Sequence, residues 1–338
     1  MKQIWIATYG GPGSLELREA PDPLPRDGEV RIRVRAAGVN FADILARKGL
    51  YPDGPKPPCV VGYEVSGVVD ACGAGVPSEW RGREVLALTR FKGYADTVVV
   101  PLEQVFLKPA GLSHEQAAAI PVTYLTAWQL MVVMGALKTG ESVLVHNAGG
   151  GVGLAAIDIG CHLRATLYGT ASSHKHAFLK ERGLNHAIDY RSTDWSAELG
   201  RLTQGRGVEL ILDPLGGSHW KKSYRALRHT GRLGMFGIST VSERKLPRVL
   251  AFVALALSLP WFNPVSLMND NRCVFGVNLG HLWHENAMVR QWMDTLLRGF
   301  ADGWVRPHVD TAFPLAQAGT AQDYIEQRRN TGKVVLTV

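Results

Sequence analysis

The segment Val143-Leu144-Val145-His146-Asn147-Ala148-Gly149-Gly150-Gly151-Val152-Gly153 constrains this chain more than any other. An apolar run meets a cluster of glycines and continues into small apolar residues at helical spacing. Counted back from Gly153, it reads Ala148-x-Gly150-x-x-Gly153, a variant of the glycine turn that joins a strand to a helix. Gly150 lets the backbone approach a pyrophosphate, and Gly153 lets the helix lie close on its strand. The helix start at Gly151 and Val152 then attracts the phosphate charge. The motif draws its force from its setting, a strand before it, a helix after it and further β/α alternation. The downstream sequence predicts strands at 142–146, 166–169, 187–189, 208–212 and 232–236, with a sixth at 274–277. Helices at 152–163, 174–183, 195–203 and 218–229 alternate with them, so a doubly wound Rossmann sheet is expected.

The dinucleotide can be read from the end of the second strand. NAD sites place Asp or Glu about 20 residues beyond the glycine turn. Here the sequence is Tyr168-Gly169-Thr170-Ala171-Ser172-Ser173-His174-Lys175, with no acid. Ser172 and Lys175 suit a 2′-phosphate, so NADPH is expected. Ser172 can also serve as a helix cap. Tyr190 ends the third strand, beside the expected adenosine.

The first third of the chain is β-rich. Val30, Ile32 and Val34 alternate with Arg31, Arg33 and Arg35, the pattern of a half-buried strand. More short strands follow at 65–69, 84–88, 94–100 and 105–107, which suggests a small, partly open barrel. Near residue 112 the character changes. Ser113 with Gln116 forms a capping box, and a helix is expected from there to about residue 134. Beyond the parallel sheet, helices near 286–300 and 315–328 precede a last strand at 334–338. With 338 residues, two domains are expected rather than one core.

Several classes are excluded. Cys59, Cys72, Cys161 and Cys273 form no CxxC, so neither a disulfide scaffold nor a cysteine zinc site is indicated, and reduced thiols in a cytoplasmic protein are expected. The net charge of +7 permits an anionic partner, but no basic region interleaves with aromatics, and no nucleic-acid module is seen. The start lacks the apolar core of a signal peptide. The apolar run 249–262 is shorter than the roughly 20 residues that span a bilayer. Lys221, Lys222, Arg225 and Arg228 are expected near one helix face, and Arg244, Lys245 and Arg248 precede the apolar run. Together they could form a peripheral membrane contact, a substrate wall or a buried dimer contact.

The residues also resemble a family. Ala37-Gly38-Val39-Asn40-Phe41-Ala42-Asp43, Gly49-Leu50-Tyr51-Pro52, Val61-Gly62-Tyr63-Glu64, Leu125-Thr126-Ala127-Trp128, Asp213-Pro214-Leu215-Gly216-Gly217 and Asn330-Thr331-Gly332-Lys333 are similar to the zinc-independent quinone oxidoreductase branch of the medium-chain dehydrogenase/reductases. Within it the chain is most similar to the VAT-1 group. The resemblance implies a GroES-like catalytic domain at 1–122, a Rossmann NADP-binding domain at 123–283 and a return segment at 284–338. It also implies a homodimer through the outer Rossmann strand. Zinc members carry Cys where this chain has Asn40 and His where it has Tyr63, so no metal is expected.

The resemblance further implies hydride transfer to quinones or α,β-unsaturated carbonyls. Alternatives are enoyl reduction on acyl thioesters, or an NADPH-binding membrane- or lipid-associated protein with little turnover. Asn40 and Tyr51 are then the catalytic candidates, orienting and hydrogen-bonding the acceptor. Thr126 would contact the nicotinamide. Asn330 and Lys333 could reach the cofactor. Plainer roles stand beside these: Asn40 as a helix N-cap with Asp43 at N3, Tyr51 as turn packing, and 330–333 as a polar turn.

Overall fold

The computed structural model describes residues 1–241 and 248–338. It forms two compact units. The first comprises Met1–Leu125, Gly280–Ala301 and Pro307–Val338, and the second Thr126–Leu279 and Asp302–Arg306.

The first unit begins with β1 (Lys2–Ile6), β2 (Leu15–Glu19), β3 (Glu29–Val39) and helix α1 (Phe41–Arg47). Strands β4 (Cys59–Val60), β5 (Glu64–Cys72), β6 (Glu84–Leu88), β7 (Thr97–Pro101) and β8 (Val105–Leu107) follow. β3 is the spine of the larger sheet, antiparallel to both β5 and β7. Its alternation behaves as the sequence predicts. Val30, Ile32 and Val34 are buried, while Arg31 and Arg33 grip Asp70 at 2.8 and 2.7 Å. Helix α2 (His114–Ala117) carries the capping box between Ser113 and Gln116.

The predicted helix from 113 to 134 is interrupted. α3 (Pro121–Trp128) begins afresh at Pro121, and Gln129–Val133 continues as a π-helical turn. Proline has no N–H to donate, so it fits the first turn of a new helix better than the interior of a long one. The apolar stretch His114–Val133 is long enough to cross a bilayer, but 72% of it is buried inside the fold, as in a core helix.

The second unit alternates β9 (Ser142–Val145), α4 (Gly151–His162), β10 (Thr166–Thr170), α5 (His176–Glu181), β11 (His186–Ile188), α6 (Trp195–Leu202), β12 (Val208–Asp213), α7 (Ser218–Arg225) and β13 (Leu227–Met235). Helices α8 (Arg248–Ser258) and α9 (Pro264–Asp270) then lead to β14 (Cys273–Gly276). The sheet order is β11-β10-β9-β12-β13-β14, and every pair is parallel. It is a Rossmann sheet whose order reverses at β9 and β12, the switch point at which sheets of this kind bind ligands. α7 ends sooner than the expected 218–229, because Leu227 pairs with Val208 and draws the chain into β13. Arg228 therefore stands on a strand, not on the basic helix.

The chain returns through α10 (Asn286–Ala301), β15 (Val309–Pro314), α11 (Ala318–Glu326) and β16 (Lys333–Thr337). β16 lies between β15 and β3, with Val334 opposite Val39. This pairing brings the C-terminal segment to the start of α1. Asp302–Arg306 packs with the second unit, not with the rest of the return segment. Trp304 stacks on His162 at 4.3 Å, and Arg306 reaches the buried Asp158 at 2.8 Å.

Candidate functional site

In the first unit, polar side chains converge where β3 runs into α1. Asn40 is the N-cap residue of α1 and forms a capping box with Asp43 at N3: Asp43 accepts the Asn40 backbone N–H at 2.8 Å, and the Asn40 carboxamide faces the N3 backbone. The carboxamide also meets two side chains. Its Oδ1 accepts from Lys333 Nζ at 2.6 Å, and its Nδ2 donates to Glu64 Oε1 at 2.9 Å. Lys333 also donates to Glu64 Oε1 at 2.5 Å, and the Val122 N–H donates to Glu64 Oε2 at 2.7 Å. Lys333 and Glu64 are both buried, so this ion pair is shielded from water. Gly38 permits it, because a Cβ there would lie 2.4 Å from Glu64 Oε1.

Asp43 forms the floor of this cluster. It accepts from the Gly62 N–H at 3.0 Å and from the Tyr94 hydroxyl at 3.1 Å. Burial pushes its carboxyl up to about 7, against the pull of these donors and of Lys333. Tyr51 packs edge-on against Tyr63, with ring centroids 6.3 Å apart. The Tyr63 hydroxyl is buried, and burial, together with the neighbouring Tyr51, holds it far above the usual phenol range.

In the second unit, the predicted glycine turn is in place. Gly150 is the N-cap of α4, and no side chain caps the helix. A Cβ on Gly153 would lie 2.5 Å from the carbonyl oxygens of Asn147 and Ala148, so backbone fills the space a side chain would need. Lys175 lies across the turn, where a Cβ on Gly149 would meet its Cδ at 2.7 Å. Ser172 Oγ is 3.5 Å from the Tyr190 hydroxyl, and both Ser172 and Lys175 are buried. An uncapped helix N-terminus, small backbone and a lysine across the turn fit the phosphates of a dinucleotide. Thr126 is buried in α3.

A second polar cluster lies just past the ends of β9 and β12. Ser223 Oγ donates to Asp213 Oδ2 at 2.6 Å and lies 3.2 Å from His146 Nε2. His219 Nδ1 is 2.6 Å from Asp213 Oδ2, and Thr170 Oγ1 is 3.1 Å from His146 Nδ1. Burial drives the His146 imidazole down to about 3, so it is neutral. Burial alone would raise the Asp213 carboxyl, but His219, His146 and Ser223 hold it below the usual range. Among the described residues, His146, Asp213 and His219 are the group whose spacing could hold a metal ion. The same atoms already complete a hydrogen-bond chain: Thr170 to His146, His146 to Ser223, Ser223 to Asp213, and His219 to Asp213.

The predicted residues thus fall into two sets. Asn40 and Lys333 meet in the first unit. Ala148, Gly150, Gly151, Val152, Gly153, Ser172, Lys175 and Tyr190 gather around the turn in the second. Lys333 faces Asn40 and Glu64, and Asn330 Nδ2 donates to the Gly332 carbonyl at 2.7 Å, as a polar turn residue would. Sequence reasoning missed the roles of Glu64, His146 and Ser223, whereas Asp43 stands at N3 of α1 as expected. The signal for Glu64 was Gly38, a glycine within a strand that marks a close approach.

Residues 182–336 match a family described as zinc-binding dehydrogenase, and residues 26–110 match the alcohol dehydrogenase GroES-like domain. Over 99% of its length the chain is 38% identical to the human synaptic vesicle membrane protein VAT-1 homolog, covering 86% of that protein. Escherichia coli quinone oxidoreductase complexed with NADPH superposes with a TM-score of 0.87 at 27% identity, over 100% of both chains. The CurK enoyl reductase gives 0.86 at 27% identity, over 99% of this chain and 98% of that one. With a GroES-like unit and a Rossmann unit built around a glycine turn, the chain belongs to the medium-chain dehydrogenase/reductase superfamily of oxidoreductases. Within that superfamily it stands close to the VAT-1-like group. The metal in the matched family's description does not fit the donors of the first unit: Asn40 and Tyr63 are not zinc ligands, and Lys333 already neutralises Glu64.

Proposed function

We propose that this chain is a zinc-independent, NADPH-dependent reductase that transfers hydride to quinones or α,β-unsaturated carbonyls. The observation that carries the reading is Lys175 lying across the glycine turn with Ser172 and Tyr190 nearby, at a strand end without a carboxylate. The dinucleotide supplies the hydride. The N–H groups of Gly151, Val152 and Gly153 hold its pyrophosphate, and Lys175 and Ser172 hold the 2′-phosphate. Thr126 contacts the nicotinamide amide. Asn40 and Tyr51 orient the acceptor and donate hydrogen bonds to the oxygen that gains charge, and solvent protonates the product. An electron-poor acceptor suits this chemistry, because no Lewis acid is needed to stabilise an alkoxide. The likeness to the quinone and enoyl reductases supports the reaction type. A cytoplasmic homodimer through the edge strand β14 completes the reading.

The test is NADPH oxidation by the metal-stripped protein against an ortho-quinone, an alkyl enone and an enoyl thioester, with NADH as control. Turnover with NADPH and not NADH is expected, and Lys175→Ala should weaken NADPH binding about tenfold, as for one lost charge-assisted contact. Equal use of NADH would overturn the cofactor assignment. Preference for the thioester would move the acceptor to acyl chains.

A specific observation favours a membrane-associated role alongside. Leu250, Val253, Leu257, Trp261, Val265 and Met268 are all exposed, and Trp261 is 90% exposed. Lys221 and Arg225 are exposed on α7, whereas Lys222 is paired with Asp194 and Arg228 with Glu209. Arg244, Lys245 and the Arg248 side chain lie outside the described residues. An anionic bilayer matches exposed apolar residues beside basic ones. Binding to phosphatidylserine vesicles that weakens as salt rises is expected; no binding at low salt would remove this role.

A further inference from the structure

Lys333 is the buried group that the proposed reaction does not use. Its side chain is 4% exposed, and two of its three N–H donors are spent inside the protein, on Glu64 Oε1 and on Asn40 Oδ1. It therefore has no surface role. Its contact with Asn40 also fixes which end of the carboxamide is which. An ammonium only donates, so the atom it meets must be the carbonyl oxygen, and the amino end must face the acceptor Glu64. That end carries two hydrogens, and Glu64 Oε1 at 2.9 Å takes one. The other remains. Asp43 holds the Asn40 backbone as well, so neither the main chain nor the amide plane can turn.

We infer that Lys333 polarises the Asn40 carboxamide, so that the remaining Nδ2–H is a strengthened donor to the oxyanion formed on the acceptor. The argument is electrostatic. A full positive charge 2.6 Å from Oδ1 draws electron density toward the carbonyl and leaves the amino hydrogens more positive. Hydrogen bonds arranged in series strengthen one another in this way, most where water is excluded. Glu64 balances the ammonium, which keeps the buried charge tolerable. It takes no proton from substrate, because both of its oxygens already accept bonds from Lys333, Asn40 and Val122. Asn40 is thus the catalytic residue, and Lys333 a positioning residue that acts through it. The inference rests on the reductase reading for its substrate, but the oxyanion site itself can be tested without turnover.

The experiment uses the full chain with NADP⁺ present and absent, and titrates 4-nitrophenolate as an oxyanion and 4-nitroanisole as its uncharged counterpart. Wild type should prefer the phenolate. The charge-balanced double variant Lys333→Met/Glu64→Gln should bind phenolate about tenfold more weakly, with anisole unchanged, and should lose roughly 10- to 100-fold in kcat with little change in the KM for NADPH. Lys333→Arg, which keeps the charge, should recover part of the loss. Asn40→Ala should lose the same preference, and adding it to the double variant should cost nothing further, because the two groups act in series. Additive losses would overturn the inference, as would phenolate binding unaltered in the double variant, or no phenolate preference in wild type. If the double variant does not fold, the Lys333→Arg and Asn40→Ala arms decide. Absence of NADPH turnover with the phenolate preference intact would end the reductase reading and leave the oxyanion site standing.

Discussion

Lys333 and His146 are both nitrogen bases buried beside a carboxylate, yet the two units use them differently. In the first unit the pair is fully charged. Lys333 and Glu64 lie out of water and act on one neutral amide, Asn40. In the second unit burial keeps His146 neutral, and its neighbours hold the Asp213 carboxyl below the usual range. There the polar cluster fastens strand ends, and in the proposed reading the ligand is held by backbone N–H groups of the glycine turn. The difference teaches where each kind of recognition is suited. A dinucleotide carries fixed negative charge, which a helix N-terminus and a lysine can meet. An acceptor oxygen gains charge only during reaction, and needs a donor held rigid beforehand.

The contrast can be broken at a glycine in each unit. Gly153→Ala should be the most damaging, because its Cβ would lie 2.5 Å from two backbone carbonyl oxygens, with no side chain to yield. A loss of about 3 kcal/mol in urea unfolding is expected, at the upper end of overpacking costs. Gly38→Ala should cost about 1–2 kcal/mol, since the nearest atom is the end of the Glu64 side chain, though the Ala118 carbonyl oxygen stands at 2.7 Å. Equal losses would mean that the first unit is as rigid as the second. Gly38→Ala should in addition shift Glu64 off Asn40 and lower activity beyond the stability loss, which Gly153→Ala should do through cofactor affinity instead.

These two glycines also show what the sequence made legible. Gly153 belongs to an eleven-residue run whose strand, turn and helix are contiguous, so pattern alone disclosed it. Ser172, Lys175 and Tyr190 were within reach because strand ends in a parallel sheet gather on one side. The Asn40 cluster was not. Glu64 lies 24 residues from Asn40, and Lys333 lies 293 away, brought in by the antiparallel pairing of β16 on β3. No local period encodes that contact. Asn40 itself read as an N-cap with Asp43 at N3, and the structure has that capping box; what the cap did not foretell is that the same carboxamide also meets Glu64 and Lys333. The break at Pro121 and the early end of α7 were lost for a related reason, since helical spacing does not register where a new helix or a strand pairing takes over.

The sharpest comparison of the two clusters is in how each titrates. Asp43 has an ordinary value of 3.8 and is raised to about 7, so the folded chain holds a proton there that the unfolded chain releases. Its contribution to stability is complete below about pH 4 and is lost as pH rises to about 7. His146 has an ordinary value of 6.5 and is lowered to about 3, so the unfolded chain takes up a proton that the folded chain refuses. Its contribution is complete above pH 6.5 and is lost as pH falls toward 3. Between about pH 4 and 6.5 the two slopes have opposite signs and offset each other, while His114, also lowered by burial, adds to the rising side. His146→Gln removes the rising slope, so stability should then fall as pH increases through that window. Asp43→Asn removes the falling slope and should leave the reverse. Urea midpoints measured at half-unit steps read both. If either variant keeps the wild-type slope, the titration assigned to that residue is wrong, and the charge difference between the two buried clusters goes with it.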